Sequence, residues 1–193
     1  MIMTPWQEHV ERWEGCLACD LCKGRKRMCH ARGQIPCDAL LVGEAPGESE
    51  DVLGQPFVGP AGKLLDCIVE NAWGGKLRVA FANLVACFPR EEKRNGDRQP
   101  PDLSVMACAP RLEELAALAD PKLLVCVGSL AARWLMAGRG SAGGKRLLPD
   151  FGSMMTSITH PAAILRANVS QKGLMIQRCE AVLRQAAEEL DLV

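Results

Sequence analysis

The chain has 193 residues, 48% hydrophobic and 24% charged, a balance that excludes disorder and fibrous architecture and suits one domain spanning residues 1–193. Lys+Arg 23 against Asp+Glu 23 leaves zero formal net charge, which excludes a uniformly basic nucleic-acid binder but leaves room for a local basic face. No apolar run reaches the ~18 residues of a membrane span, and Glu8, Glu11 and Glu14 stand where a secretory signal would be apolar, so a cytoplasmic protein with no membrane partner is expected.

In chain order, Thr4-Pro5-Trp6-Gln7 has the form of a capping box with Pro at the first helical position and predicts a helix over 5–14, which delivers the chain to Cys16. A short apolar strand over 38–43 runs into a Gly-rich loop, and 60–72 carries helical apolar spacing. The alternation continues with strand 78–83, helix 102–118, strand 122–127, helix 129–136, strand 155–159 and a closing helix over 174–190. Four apolar strands alternating with helices predict an α/β fold. The expected architecture is a three-layer α/β/α sandwich around a central, mostly parallel four-stranded sheet, with functional loops at the strand C-terminal ends. The Gly-rich stretch 138–144 reads as a surface loop.

Ten cysteines exceed what packing in a cytoplasmic domain requires, and without a secretory signal they point to a metal or an iron-sulfur cluster rather than to disulfides. Cys67, Cys126 and Cys179 sit in apolar patterns and read as small core residues. Spacing alone allows a wholly local site, Cys16-x-x-Cys19-x-x-Cys22 followed by Cys29, reminiscent of ferredoxin ligands or a four-cysteine zinc site.

The remaining residues with chemical potential fall just after predicted strands. They are Glu44 and Glu50 in the loop after the first, Phe57 further along it, Asn83 at the end of the second and His160 after the fourth. The loop lacks the G-x-G-x-x-G and Walker spacings, and its carboxylates would repel phosphate, so a nucleotide cradle is disfavoured. Cys16-x-x-Cys19, GEAPGESED (43–51), GQPFVGPAG (54–62), Asn83 with Cys87, Arg98 followed by Cys108, and HPAAILR (160–166), in that order, resemble the family 4 uracil-DNA glycosylases, the iron-sulfur branch of that superfamily. Two departures stand out: an apparent insertion between Arg90 and Asp97, and Ser104 where a Glu is usual.

The resemblance implies a 4Fe-4S cluster on Cys16, Cys19, Cys87 and Cys108, an alternative to the local set that leaves Cys22, Cys29 and Cys37 as spare thiols. It also implies a monofunctional, monomeric enzyme that hydrolyses uracil from single- or double-stranded DNA and leaves an abasic site. Such chemistry requires flipping the base out, stacking it and reading its Watson-Crick edge. Phe57 is the candidate stacking ring and Asn83 the candidate partner of uracil O4 and N3. His160 is the candidate donor to the O2 on which charge develops, and Glu44 the candidate for orienting water or stabilising a cationic sugar. Glu50 is a candidate for crowding out the thymine methyl. Arg166 resembles part of a DNA-inserting loop, and Lys23, Arg25, Lys26, Arg27 and Arg32 form a stretch without acidic residues suited to phosphate, as do Arg139, Lys145 and Arg146. Two alternatives remain open: a glycosylase for another deaminated or modified base, and a non-catalytic iron-sulfur DNA-binding protein of the same fold.

Overall fold

A computed structural model describes residues 2–90, 98–136 and 152–193. The segment 91–97, the Gly-rich stretch and the basic residues Arg139, Lys145 and Arg146 lie outside the described residues. In chain order the elements are α1 (Pro5–Glu14), β1 (Arg32–Gly33), β2 (Ala39–Gly43), α2 (Glu48–Leu53), α3 (Pro60–Trp73), β3 (Val79–Asn83), α4 (Asp102–Ala119), β4 (Leu123–Val127), α5 (Ser129–Met136), β5 (Met154–Ile158), α6 (Pro161–Arg166) and α7 (Val169–Glu188). A short 3-10 turn, Asp20–Lys23, follows α1.

The strands run β1-β3-β2-β4-β5 across one sheet, parallel throughout except for β1, which pairs antiparallel with β3. The sheet therefore has five strands where sequence patterning shows four. Two residues of β1 are too short to display any period. The three inner strands are apolar on both faces because both are covered, and the period of two sorts them cleanly. Leu40, Val42, Ala80, Ala82, Leu124 and Cys126 pack with α4 and α5. Ala39, Leu41, Phe81, Leu123, Val125 and Val127 pack with α3, α6 and α7. Each Leu fully buried in this way contributes about 1.5–3 kcal/mol.

Local signals place most helices where they are expected. Thr4 Oγ1 accepts from the Gln7 amide at 3.2 Å while the Thr4 amide donates to Gln7 Oε1 at 2.8 Å, closing the capping box that starts α1. The closing helix α7 begins at Val169, five residues before the predicted 174, because its first turn is polar and exposed and carries no apolar period. Cys126 and Cys179 are buried, but Cys67 is exposed: α3 turns Leu65 and Ile68 inward, which leaves Asp66 and Cys67 on the solvent side. No helix among the described residues is long and apolar enough to cross a membrane.

Candidate active site and cysteine cavity

Because β3 and β4 lie on opposite sides of β2, the connections leaving β2 and β3 diverge at the carboxyl edge of the sheet and open a crevice there. That crevice is a cavity of about 520 Å³, whose lining includes Glu44, Phe57, Asn83, Arg98, His160 and Arg166. Four of these stand at or just beyond the ends of β2, β3 and β5 or close α6, so the topology itself brings together residues scattered over the whole sequence.

Phe57 is buried and sits at φ 56, a left-handed conformation that a bulky residue adopts only where its surroundings impose it. Its ring lies 6.1 Å from that of Phe81 and 6.3 Å from that of His160, so one edge of the cavity is an aromatic wall. Gly43, the last residue of β2, makes room for that wall: a Cβ there would stand 2.4 Å from Phe57 Cζ and 2.5 Å from Asn83 Oδ1. Replacing Gly43 with Ala is expected to displace both side chains at a cost of about 1–3 kcal/mol, and hence, for the activity that the sequence resemblance implies, to slow base excision about tenfold or more in single-turnover assays. Parent rates in a folded Gly43→Ala variant would remove Phe57 and Asn83 from the reactive centre.

His160 caps α6, with Nδ1 accepting from the Ala162 amide at 3.2 Å. An accepting Nδ1 carries no proton, so the neutral ring holds its hydrogen on Nε2. Burial, and then the nearby charge of Arg166, hold the imidazole below its ordinary value of 6.5. A lowered value keeps the neutral donor present above pH 6.5 and confines its loss to lower pH. For the excision activity that the resemblance implies, rates are therefore expected to show no His160 titration between about pH 8 and 6.5, and a step in that window abolished by His160→Asn would contradict the neutral assignment.

Glu50 also borders the cavity, but its carboxylate is engaged by the loop. Oε2 accepts from the Gly47 amide at 3.1 Å, and Oε1 from the Val58 and Gly59 amides at 2.9 and 2.7 Å. It thus staples the two halves of the segment that carries Phe57. Arg98 stands at the cavity rim with Nη1 donating to Glu48 Oε1 at 2.6 Å and its guanidinium over the Phe88 ring, an arrangement visible in the sequence only as part of a motif. Arg166 closes α6 and is exposed.

The basic stretch is divided by the fold. Lys26 and Arg27 are exposed. Lys23 pairs with Asp20 at 2.6 Å, and Arg32 pairs with Asp66 while covering the Phe81 ring at 3.9 Å. Arg25 turns inward, its Nη1 donating to the Cys16 carbonyl at 2.6 Å and reaching Cys87 Sγ at 3.6 Å.

Cys16, Cys19, Cys22, Cys87 and Cys108 line one small cavity with Leu21, Met28 and Val85, so three separate parts of the chain supply sulfur to one place. Cys29 is outside that lining, its thiol donating to the Glu50 carbonyl at 3.2 Å. Arg111 Nε donates to Cys108 Sγ at 3.2 Å, so two of the sulfurs face guanidinium groups. Among the described residues no group of three or more His, Cys, Asp or Glu converges closely enough for a single metal ion. A cubane, by contrast, takes its four thiolates at separate corners. Soft sulfur donors, apolar walls and facing cations thus fit a thiolate-held iron-sulfur group better than a mononuclear centre.

Comparison with known proteins gives the same direction. The family model described as the Uracil DNA glycosylase superfamily matches residues 30–184. The chain is 32% identical over 170 residues to a type-4 uracil-DNA glycosylase of Pyrobaculum aerophilum, covering 83% of this chain and 84% of that protein. It is 30% identical over 168 residues to a type-4 uracil-DNA glycosylase of Thermotoga maritima, covering 81% of each. The solution NMR structure of a Methanosarcina acetivorans protein, provisionally assigned as a uracil DNA glycosylase, shares the fold with a TM-score of 0.51 at 14% identity, over 83% of this chain and 98% of that one. With a model matched across most of its length and relatives of one type aligned over four fifths of it, this chain belongs to the uracil-DNA glycosylase superfamily, in its type-4 branch.

Proposed function

We propose that this chain is a monofunctional, monomeric glycosylase that hydrolyses the N-glycosidic bond of uracil in single- or double-stranded DNA and leaves an abasic site. The observation that carries this reading is the convergence of Glu44, Phe57, Asn83 and His160 on one cavity at the carboxyl edge of the sheet. A flipped uracil stacks on Phe57, and the Asn83 carboxamide donates to O4 and accepts from N3–H. As the bond to the sugar lengthens, charge accumulates on O2, and the Nε2–H of neutral His160 stabilises it there. Glu44 faces the cationic sugar and the attacking water. Arg166, which lines the cavity, helps occupy the gap left by the flipped base, and Lys26 and Arg27 meet the DNA backbone, while Lys23 and Arg25 contribute less because Asp20 and the cysteine cavity engage them.

Cys16, Cys19, Cys87 and Cys108 hold a 4Fe-4S cluster, whose contribution when bound is to tie the segment after α1 to the loop after β3 and to α4. None of the ten cysteines is paired in a disulfide, which suits a reducing compartment and a cytoplasmic location. The test is release of free base from oligonucleotides of identical sequence containing one uracil, hypoxanthine or thymine. Uracil release leaving alkali-labile abasic sites is expected. Release of hypoxanthine alone would replace the substrate, and tight binding with no release would replace the enzyme by a binding protein.

A further inference from the structure

Arg111 lies fully buried on α4, one turn after Cys108, among the largest side chains with no exposure at all. Its guanidinium has four acceptors: Cys108 Sγ at 3.2 Å, the Asn83 carbonyl at 2.7 Å, the His30 carbonyl at 3.4 Å and the Leu84 carbonyl at 3.5 Å. Among the described residues no carboxylate pairs with it. Nor do the neighbouring histidines offset its charge. His9 is held down to about 4 chiefly by burial, and burial likewise lowers His30, with the Arg111 charge adding to both. A permanently charged group sealed from water and facing only neutral carbonyls and a sulfur is costly unless negative charge comes to it. The sulfur it touches is that of Cys108, and the cavity that Cys108 shares with Cys16, Cys19 and Cys87 is a place beside it where negative charge can accumulate.

We propose that Arg111 is a positioning residue that joins the cysteine cavity to the base-reading end of β3, serving as buried counter-charge to a thiolate-held cluster while the same planar fork fixes the backbone of Asn83. The proposal rests on the cluster reading given above. A thiolate-ligated cluster carries net negative charge, and hydrogen bonds to its sulfurs raise its reduction potential and its retention. The other arm of the fork acts on the catalytic cavity: Asn83 and Leu84 present their carbonyls to Arg111, and the Leu84 amide in turn donates to the Gly43 carbonyl at 3.0 Å, under the Phe57 ring. Occupancy of the cysteine cavity and placement of the Asn83 carboxamide are thereby linked through one side chain.

The experiment uses the full, anaerobically purified, iron-loaded chain and two variants, Arg111→Met and Arg111→Lys. Three quantities are read: bleaching of the cluster by a chelator, its midpoint potential, and hydrogen exchange at the amides of Leu84 and Val85. In Arg111→Met the midpoint is expected to fall, bleaching to accelerate about tenfold or more, and exchange at both amides to rise. In Arg111→Lys the charge remains but the fork is gone, so a midpoint near the parent's with exchange raised as in Arg111→Met is expected. A merely space-filling role would not separate charge from fork in this way. Parent midpoint, bleaching and exchange in Arg111→Met would overturn the proposal, as would an unchanged exchange in Arg111→Lys, which decides the matter if the Met variant does not fold. Absence of iron from the parent protein would overturn the cluster reading itself and this proposal with it, whereas an iron-loaded parent beside an indifferent Arg111→Met overturns the role of Arg111 alone.

Discussion

Replacing His160 with Ala is expected to lower the single-turnover rate of uracil release by about 10² or more while leaving affinity for uracil-containing DNA nearly intact. The asymmetry follows from when the hydrogen bond matters. On the proposed reading the Nε2–H meets a neutral carbonyl oxygen in the bound substrate; only as the glycosidic bond breaks does that oxygen gain charge, and a donor already held in place then costs little to reorganise. The side chain is fixed from its other nitrogen, where Nδ1 accepts from the Ala162 amide. That second role complicates the Ala variant, since losing an N-cap costs about 0.5–2 kcal/mol of stability. His160→Asn separates the two. An Asn caps a helix well but does not extend to where the imidazole Nε2 stands, so melting temperature is expected to return to the parent's while the rate stays low. Excision at the parent rate by a stable His160→Asn variant would show that His160 acts only as a cap.

How far the sequence speaks for itself depends on how local each cause is. The inner strands were legible because burial on both faces makes them continuous apolar runs, and α1 was legible because Thr4 and Gln7 form a cap within four residues. Glu44, Phe57, Asn83 and His160 were accessible as candidates because a parallel sheet places its site at strand ends, which turns a position in the alternation into a position in space. What escaped were features decided by distant partners. Lys23, Arg25 and Arg32 look alike along the chain, yet Asp20, the Cys16 carbonyl and Asp66 give them three different roles. Glu50 stands in the sequence as a candidate for crowding out the thymine methyl, and nothing local discloses that three amides, two of them from the far side of the loop, converge on it. Arg111 carried one faint signal, its spacing of three from Cys108 on a helix, but nothing local discloses that its fork ends on the carbonyl of Asn83. The short elements β1, α2 and α6 span two to six residues, too few to complete a period.

The largest effect on the molecule as a whole is expected from Cys87→Ala and Cys108→Ala, each of which should abolish the broad absorption near roughly 400 nm of a cysteine-held iron-sulfur cluster. Cys29→Ala and Cys22→Ala should retain it. The contrast with Cys29 lies in what each sulfur faces. Burial, then the charges of Glu50 and Asp51, push the Cys29 thiol up to about 12, and it spends its hydrogen on the Glu50 carbonyl. Burial also pushes the Cys87 thiol up, to about 11, but Cys87 and Cys108 line the shared cavity and face the guanidiniums of Arg25 and Arg111, cations placed to meet the negative charge of a bound cluster. Cys22 borders the same cavity from the 3-10 turn after α1, but a cluster bound by the local set Cys16, Cys19, Cys22 and Cys29 would leave Cys87 and Cys108, and with them the loop after β3 and α4, untethered. A distributed cluster is a cross-link between distant segments, which by analogy with other cross-links is worth about 2–4 kcal/mol, and in a chain of this length each kcal/mol moves the melting temperature by about 2–4 °C. Loss of colour in the Cys87 and Cys108 variants is therefore expected together with a fall in melting temperature of roughly 10 °C. Retained colour in both, with loss in Cys22→Ala and Cys29→Ala, would move the cluster to the local cysteines and break its tie to β3.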